Sequence, residues 1–216
     1  MLETREAWVT EQNMQAIRDD LAYLRAMAAE GRTAPFLGGS VLIAAGVVFG
    51  AAAFMHWAIV SGLLMLPRWA LLPIWLTAGA LFYVALIAVQ RGMRGRPGAE
   101  AVSNRASGWA WAAAGWAIAA IGLGLIVAAY RTGEALVFDL FAVVILGLYG
   151  SAWAFSAIVT RTKWLMGVAI ASYGMAVVSA WFVGTSTLYL IYAAALLLLA
   201  AVPGFVLRSR EPSQVV

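Results

Sequence analysis

The feature that most constrains this chain is residues 35–60, a run of 26 residues without Asp, Glu, Lys or Arg. An α-helix rises about 1.5 Å per residue, so this run can cross a hydrocarbon layer roughly 30 Å thick with some tilt. Hydrophobic residues make up 64% of the whole chain and charged residues 11%, against roughly 45–50% and about 25% in soluble domains. The sequence therefore predicts an integral membrane protein.

Five further apolar runs of similar length follow the first. Most connections between them are only a few residues long, which favours antiparallel neighbours. We predict an all-α polytopic membrane protein with six transmembrane helices arranged as three antiparallel hairpins. The predicted six-helix domain is 35–207, between an N-terminal segment at 1–34 and a tail at 208–216. The predicted spans are 35–60, 69–90, 106–130, 136–159, 164–184 and 188–207.

The N-terminal segment is polar but patterned as an amphipathic helix. Apolar residues recur at spacings of three and four and fall on one helical face: Met14, Ile17, Leu21, Leu24 and Ala28. The segment carries four arginines and six acidic residues, a net charge of −2. Anionic lipid prefers a basic helix, so a protein surface is the expected contact. That surface is the protein's own loops, a second copy or another protein.

The cations predict the orientation. If the N-terminus is cytoplasmic, twelve of the fourteen Lys and Arg residues lie on that side, and only Arg68 and Arg131 lie on the other, as the positive-inside rule requires. An even number of spans then places both termini in the cytoplasm. This topology accounts for the formal charge of +4, so we expect no nucleic-acid partner.

Two residues inside the predicted spans ionise near neutral pH: His56, the sole histidine, and Asp139. Each lies about one helical turn below the predicted outer surface, where a buried charge needs a partner. With Arg131, Glu134 and Tyr189 at similar depth, they predict an outward-facing polar site for a proton or a small ligand. The alternatives are contact with interfacial water, or an Asp139 that balances the positive N-terminus of span four.

Other chemistry finds little support in the sequence. The chain has no cysteine and one histidine, and a metal site needs three or four convergent ligands. We find no nucleophile, phosphate-loop or metalloprotease motif, so we expect neither a cofactor nor an enzyme. Hydroxyl groups deeper in the spans either line a cavity or bond to their own helix or to a neighbouring one; they are Thr77, Tyr83, Tyr149, Ser151, Ser172, Tyr173, Ser179 and Tyr192.

Small residues at four-residue spacing allow helix backbones to approach closely. Gly46 and Gly50 form such a pair in the first span. Similar positions occur in later spans and predict helix packing, either within the bundle or in an oligomer; they are Gly115, Gly147, Ser172 and Ala176.

The residues around the start and end of the first span are Arg32, Ala34, Pro35, Gly38–Gly39 and His56–Trp57. With them the chain resembles small uncharacterised six-span bacterial inner-membrane proteins. The resemblance implies a bacterial inner membrane and an N-terminal helix that serves a cytoplasmic partner, such as a transcriptional regulator. Our leading hypothesis is a non-catalytic scaffold or regulatory subunit in the lipid bilayer. The alternative is a small transporter or channel that uses His56 and Asp139.

Overall fold

The computed structural model describes residues 14–23, 38–93 and 101–211, and every regular element in these ranges is helical. Residues 14–23 form α1, and Leu24 and Ala28 of the predicted amphipathic helix lie outside the described residues. Short 3₁₀ turns precede α3 and α5, and a π-helical segment, Leu197–Ala201, joins α7 to α8. The other helices are α2 (Gly39–Val60), α3 (Leu71–Met93), α4 (Val102–Thr132), α5 (Asp139–Thr160), α6 (Lys163–Trp181), α7 (Thr187–Leu196) and α8 (Val202–Ser209).

Six helical segments in the described ranges are long and apolar enough to cross a membrane, which confirms the predicted all-α class with six spans. They are Gly39–Val60, Arg68–Gly92, Val102–Thr132, Leu136–Thr160, Lys163–Trp181 and Thr187–Ser209. The fifth segment ends earlier than its predicted bound because the chain turns at Gly184, whose φ is +85°. The grouping into three hairpins stays a prediction.

The centre of the bundle is formed by α5 and the last span. Half of the most apolar window of each is buried, whereas none of the α4 window is. Trp153, Leu146 and Leu196 are fully or almost fully buried. The two peripheral helices attach to this centre through one neighbour each, α3 through α2 and α4 through α5. Most of the surface of α3 and α4 is therefore left uncovered by the other described helices.

Glycines bring α2 against the last span. A Cβ at Gly46 would lie 2.5 Å from the Ala201 nitrogen, and one at Gly204 would lie 2.8 Å from the Gly39 carbonyl oxygen. Gly50 faces Leu197 at 3.2 Å. Distances below 3.0 Å leave no room for a side chain, so Gly46 and Gly204 permit the backbone contact between the two spans.

In the later spans the same spacing marks packing at some positions and not at others. Within the described residues, a Cβ at Gly115 or Gly147 would meet no atom within 4 Å. The prediction that these two glycines pack against a neighbouring helix is therefore wrong for the described bundle. Ser172 is fully buried, its hydroxyl bonds to the Val168 carbonyl, and Ala176 lies partly buried against the core.

A tryptophan in α5 supports the irregular segment of the last span. Pro203 has no N–H, so the carbonyl of Leu199, four residues earlier, cannot receive the usual helical hydrogen bond. The fully buried Trp153 donates its indole Nε1–H to this carbonyl oxygen over 2.9 Å. Inside a membrane no water is available to donate to this carbonyl. The Trp153 side chain therefore stabilises the π-helical segment.

Candidate functional site

Four side chains from different helices meet at one end of the bundle. His56 lies in the last two turns of α2, Trp75 in the first two turns of α3, Asp139 at the start of α5 and Tyr189 in the first turn of α7. All four are partly buried. We call these residues, with Gly184 of the α6–α7 connection, the polar cluster.

The imidazole of His56 contacts two aromatic side chains. Its ring stacks on that of Tyr189, with centroids 3.5 Å apart and planes inclined by 18°. The indole Nε1–H of Trp75 donates to His56 Nδ1 over 3.1 Å. A nitrogen that accepts a hydrogen bond carries no proton. His56 is therefore neutral in this arrangement, with its proton on Nε2.

The Asp139 carboxylate receives one donor on each oxygen. The hydroxyl of Tyr189 donates to Oδ1 over 2.5 Å, and the backbone N–H of Gly184 donates to Oδ2 over 2.8 Å. The left-handed backbone of Gly184 suits a residue without Cβ. Hydrogen bonds to a charged acceptor are the stronger kind, so Asp139 fastens the start of α5 to the α6–α7 connection and to α7.

The structure brings His56 and Asp139 together through Tyr189. Among the described residues no hydrogen bond or ion pair joins the two directly, because the tyrosine ring lies against His56 and its hydroxyl reaches Asp139. Both oxygens of Asp139 face other elements, and no side-chain hydrogen bond caps the start of α5. The alternative in which Asp139 only balances its own helix N-terminus therefore leaves out its main contacts.

Arg131 and Glu134 lie outside the cluster. Both are exposed, and within the described residues neither forms a hydrogen bond or ion pair with it. Glu134 instead uses its backbone N–H, which donates to the Thr132 hydroxyl over 3.2 Å. Including these two residues in the predicted site was wrong, because similar depth along two helices does not bring their side chains to one side of the bundle.

Comparison with known protein families, characterised proteins and solved structures found no match. The function must therefore be argued from the chain's own residues.

Sequence reasoning missed two members of the cluster, Trp75 and Gly184. Trp75 had a usable signal, since an indole N–H inside a membrane needs an acceptor and His56 lies at similar predicted depth. Gly184 had a weaker signal, which is its position as a glycine directly before the polar Thr-Ser-Thr connection between two spans.

The chemistry of the cluster is that of hydrogen bonding and proton binding. In the described ranges no three His, Asp or Glu side chains are placed to hold a metal ion. The charged carboxylate already has two donors, whereas the Nε2–H of His56 has no acceptor within the described residues. That N–H is the position at which the cluster can engage a further group.

A shallow, open groove of about 500 Å³ lies between α2 and α3. Its lining is apolar apart from Thr77, and its α2 side includes Val47, Ala51 and Met55. Thr77 is the one hydroxyl of the predicted set that lines it. His56 and Trp75 are not among its lining residues, so this space suits a hydrocarbon chain and is separate from the polar cluster.

The other candidate surface is the apolar face of α1. Met14, Ile17 and Leu21 expose 49%, 53% and 46% of their surface. These three are the described members of the predicted partner-binding face. The opposite face carries the hydrogen bond from Gln15 Nε2 to Asp19 Oδ1, 3.1 Å long. The described residues leave this apolar face uncovered, which makes it a candidate contact surface for another molecule.

Proposed function

We propose that the protein is a non-catalytic integral membrane scaffold that binds a cytoplasmic protein through the apolar face of α1. The observation that carries the proposal is the exposure of Met14, Ile17 and Leu21 on one face of a helix outside the six spans. Amphipathic helices of this type bind by laying an apolar face into a groove on a partner.

The charge on α1 favours a protein over lipid as its partner. Residues 14–23 contain Arg18, Asp19 and Asp20, a net charge of −1. Anionic membrane surfaces attract basic helices and repel acidic ones. The expected partner therefore offers an apolar groove with a neutral or basic rim, and a second copy of the chain is the competing occupant.

Charge distribution supports a bacterial inner-membrane location with both termini in the cytoplasm. In that orientation twelve of fourteen cations face the cytoplasm, and α1 meets cytoplasmic proteins. The test is accessibility of tags at the two termini. Protease added outside intact cells should leave both intact, and digestion of either would contradict this topology.

The partner can be sought by site-specific photo-crosslinking in native membranes. A photoreactive phenylalanine derivative replaces Ile17 on the apolar face or Ala22 on the opposite face. Both residues are exposed, so they form a matched pair. We expect a discrete protein adduct from position 17 and none from position 22, and loss of this adduct in Leu21→Glu.

The mass of the crosslinked adduct distinguishes a second copy of the chain from another protein. An adduct of twice the chain's mass identifies a second copy, whereas one of another mass identifies a distinct protein. Equal adducts from positions 17 and 22, or adducts with lipid alone, would contradict the scaffold proposal. Ala22→Glu adds the same charge as Leu21→Glu and should leave the adduct unchanged.

The second candidate function is movement of a proton or small ligand through the polar cluster. Two observations favour it. The Nε2–H of His56 has no acceptor within the described residues, and the His56 ring stacks on Tyr189, whose hydroxyl donates to Asp139. Proteoliposomes with an internal pH dye provide the test. His56→Ala and Asp139→Asn should each slow a pH-driven flux, while Glu134→Gln should not. Equal flux in all variants would exclude this site from transport.

A further inference from the structure

Buried polar atoms without partners concentrate at the other end of the bundle. Within the described residues five buried side-chain atoms lack a hydrogen-bond partner. Four of them belong to the start of α4, the end of α5 and the start of α6, and the fifth is Ser179 Oγ near the end of α6. The four are Ser107 Oγ, Trp111 Nε1, Ser156 Oγ and Trp164 Nε1.

Contacts between α4 and α5 place three of these atoms at the same end of the two helices. The Trp111 ring meets the Trp153 ring edge-on, with centroids 5.0 Å apart. Gly122 lies against Phe141, so the contacts between α4 and α5 run in opposite directions along the two helices. Ser107, one turn before Trp111, and Ser156, one turn after Trp153, therefore lie on the same side of this ring contact, toward the end of the bundle.

The last span completes this end. Trp164 is the second residue of α6, and the Arg210 guanidinium carbon lies 5.6 Å from its ring centroid. We call this region, formed by Ser107, Trp111, Ser156, Trp164 and Arg210, the serine–tryptophan end. It is built by α4, α5, α6 and the residue after α8.

Most comparable groups in the described bundle have partners, and Ser179 Oγ is the exception outside this end. The hydroxyls of Ser151, Thr160 and Ser172 bond to carbonyls four residues earlier. The indoles of Trp75 and Trp153 each have an acceptor. Buried polar groups are nearly always paired with a protein group or an ordered water. The serine–tryptophan end therefore lacks a hydrogen-bonding group that it is built to meet.

The chemistry of the missing group follows from the donors. An indole N–H only donates, and a serine hydroxyl donates or accepts, so the occupant must be rich in acceptors. Exposed cations lie near the same helix ends in the sequence, and they favour an anion: Arg105, Arg161, Lys163, Arg208 and Arg210. Phosphate oxygens suit both requirements.

We infer that the serine–tryptophan end binds a phosphate group, in the first place the headgroup phosphate of an anionic phospholipid. The site lies at the end of the spans, where lipid headgroups are found. Its donors are covered in this structure, so the phosphate enters as the start of α4 moves away from α5. This movement uncovers Ser103 and Ser107, which are buried in the described structure, and it breaks contacts with one helix, α5.

The test is a binding titration of the full-length protein in uncharged detergent, followed by native mass spectrometry. Short-chain phosphatidylglycerol is the probe, and diacylglycerol with the same chains is the control without phosphate. We expect the first to bind and the second not to bind. Ser107→Ala/Ser156→Ala should weaken binding about tenfold, the loss typical of two neutral hydrogen bonds. Equal binding of both lipids, or of wild type and the double variant, would overturn the inference.

Matched variants keep the test specific. Ser179→Ala also removes a fully buried, unpartnered hydroxyl but lies elsewhere, so it should bind phosphatidylglycerol as wild type does. A loss as large as that of the double variant would show an indirect effect and overturn the site. Trp164→Phe retains the ring and removes the donor, and it should also weaken binding.

Inorganic phosphate separates the two sources of the ligand. If it competes with phosphatidylglycerol at millimolar concentration, with the same dependence on Ser107 and Ser156, the site recognises phosphate from either source. If it does not compete, the site is specific for the lipid. In lipid-free protein the double serine substitution should raise the melting temperature, because it removes unpaired buried hydroxyls. A lower melting temperature would show that the hydroxyls already have partners, against the inference.

Discussion

The Trp153 indole donates a hydrogen bond to the Leu199 carbonyl oxygen, which lies four residues before Pro203. Proline leaves that carbonyl without its helical donor, and the fully buried indole replaces it. One residue of α5 therefore stabilises the irregular segment of the last span.

Trp153→Phe should lower the free energy of unfolding. Removing the donor leaves a buried carbonyl unpaired, at about 1–3 kcal/mol, and the smaller ring adds a packing loss. Pro203→Ala restores an N–H that can reach Leu199, so in that background the same substitution should cost about 1 kcal/mol less. The wild type, the two single variants and the double variant form a double-mutant cycle. Unfolding in mixed micelles, followed by circular dichroism, measures the stability of all four proteins. Strictly additive effects would contradict the coupling.

The glycine contacts of α2 give a second prediction. Gly46→Ala places a Cβ within 2.5 Å of the Ala201 nitrogen, and such overpacking typically costs about 1–3 kcal/mol. Gly115→Ala and Gly147→Ala add the same methyl group where no atom lies within 4 Å. They should be neutral, or stabilising by up to about 1 kcal/mol through helix propensity. The same unfolding assay applies, and equal losses at all three positions would refute the assigned contacts.

These glycines also show how far the sequence predicts the fold. Long uncharged runs determine the number of spans, because only helices satisfy the backbone inside lipid. They do not determine which helices touch. Gly46 and Gly147 both occur in small-residue motifs, yet one faces Ala201 and the other meets nothing within 4 Å in the described chain. Apolar residues surround each span on all sides, so composition gives no preferred face.

The polar cluster was likewise only partly predictable from the sequence. Depth along a helix can be counted from the sequence, and it placed His56, Asp139 and Tyr189 at one level. The direction of a side chain around the helix depends on packing, and for this reason Arg131 and Glu134 were wrongly included while Trp75 and Gly184 were missed. Exposure of Met14, Ile17 and Leu21 likewise depends on what covers α1, which the pattern alone does not specify.

The Asp139 carboxylate gives a graded prediction. Asp139→Ala removes the acceptor of both Gly184 N–H and the Tyr189 hydroxyl and should cost about 2–4 kcal/mol, since bonds to charged groups are the stronger ones. Asp139→Asn retains one oxygen for Gly184, and its amide can donate to the tyrosine oxygen, so we expect a loss of about 1 kcal/mol.

Glu134→Gln is the matched control for these substitutions. It neutralises an exposed carboxylate nearby in sequence and should change the free energy of unfolding by less than about 0.5 kcal/mol. Thermal unfolding in detergent ranks the three variants. A loss for Glu134→Gln as large as that for Asp139→Ala would contradict the bonding described for the cluster.

The protonation of His56 can be observed directly, because the chain contains one histidine. Nitrogen-15 NMR of protein labelled at histidine should show an unprotonated Nδ1 and a protonated Nε2 at neutral pH, since Nδ1 accepts from Trp75 over 3.1 Å. Trp75→Phe removes the donor and should shift the Nδ1 resonance, whereas Trp69→Phe, at an indole that is 73% exposed, should not. A proton on Nδ1 in the wild type, or identical spectra for all three proteins, would contradict the hydrogen bond from which the neutral state of His56 was inferred.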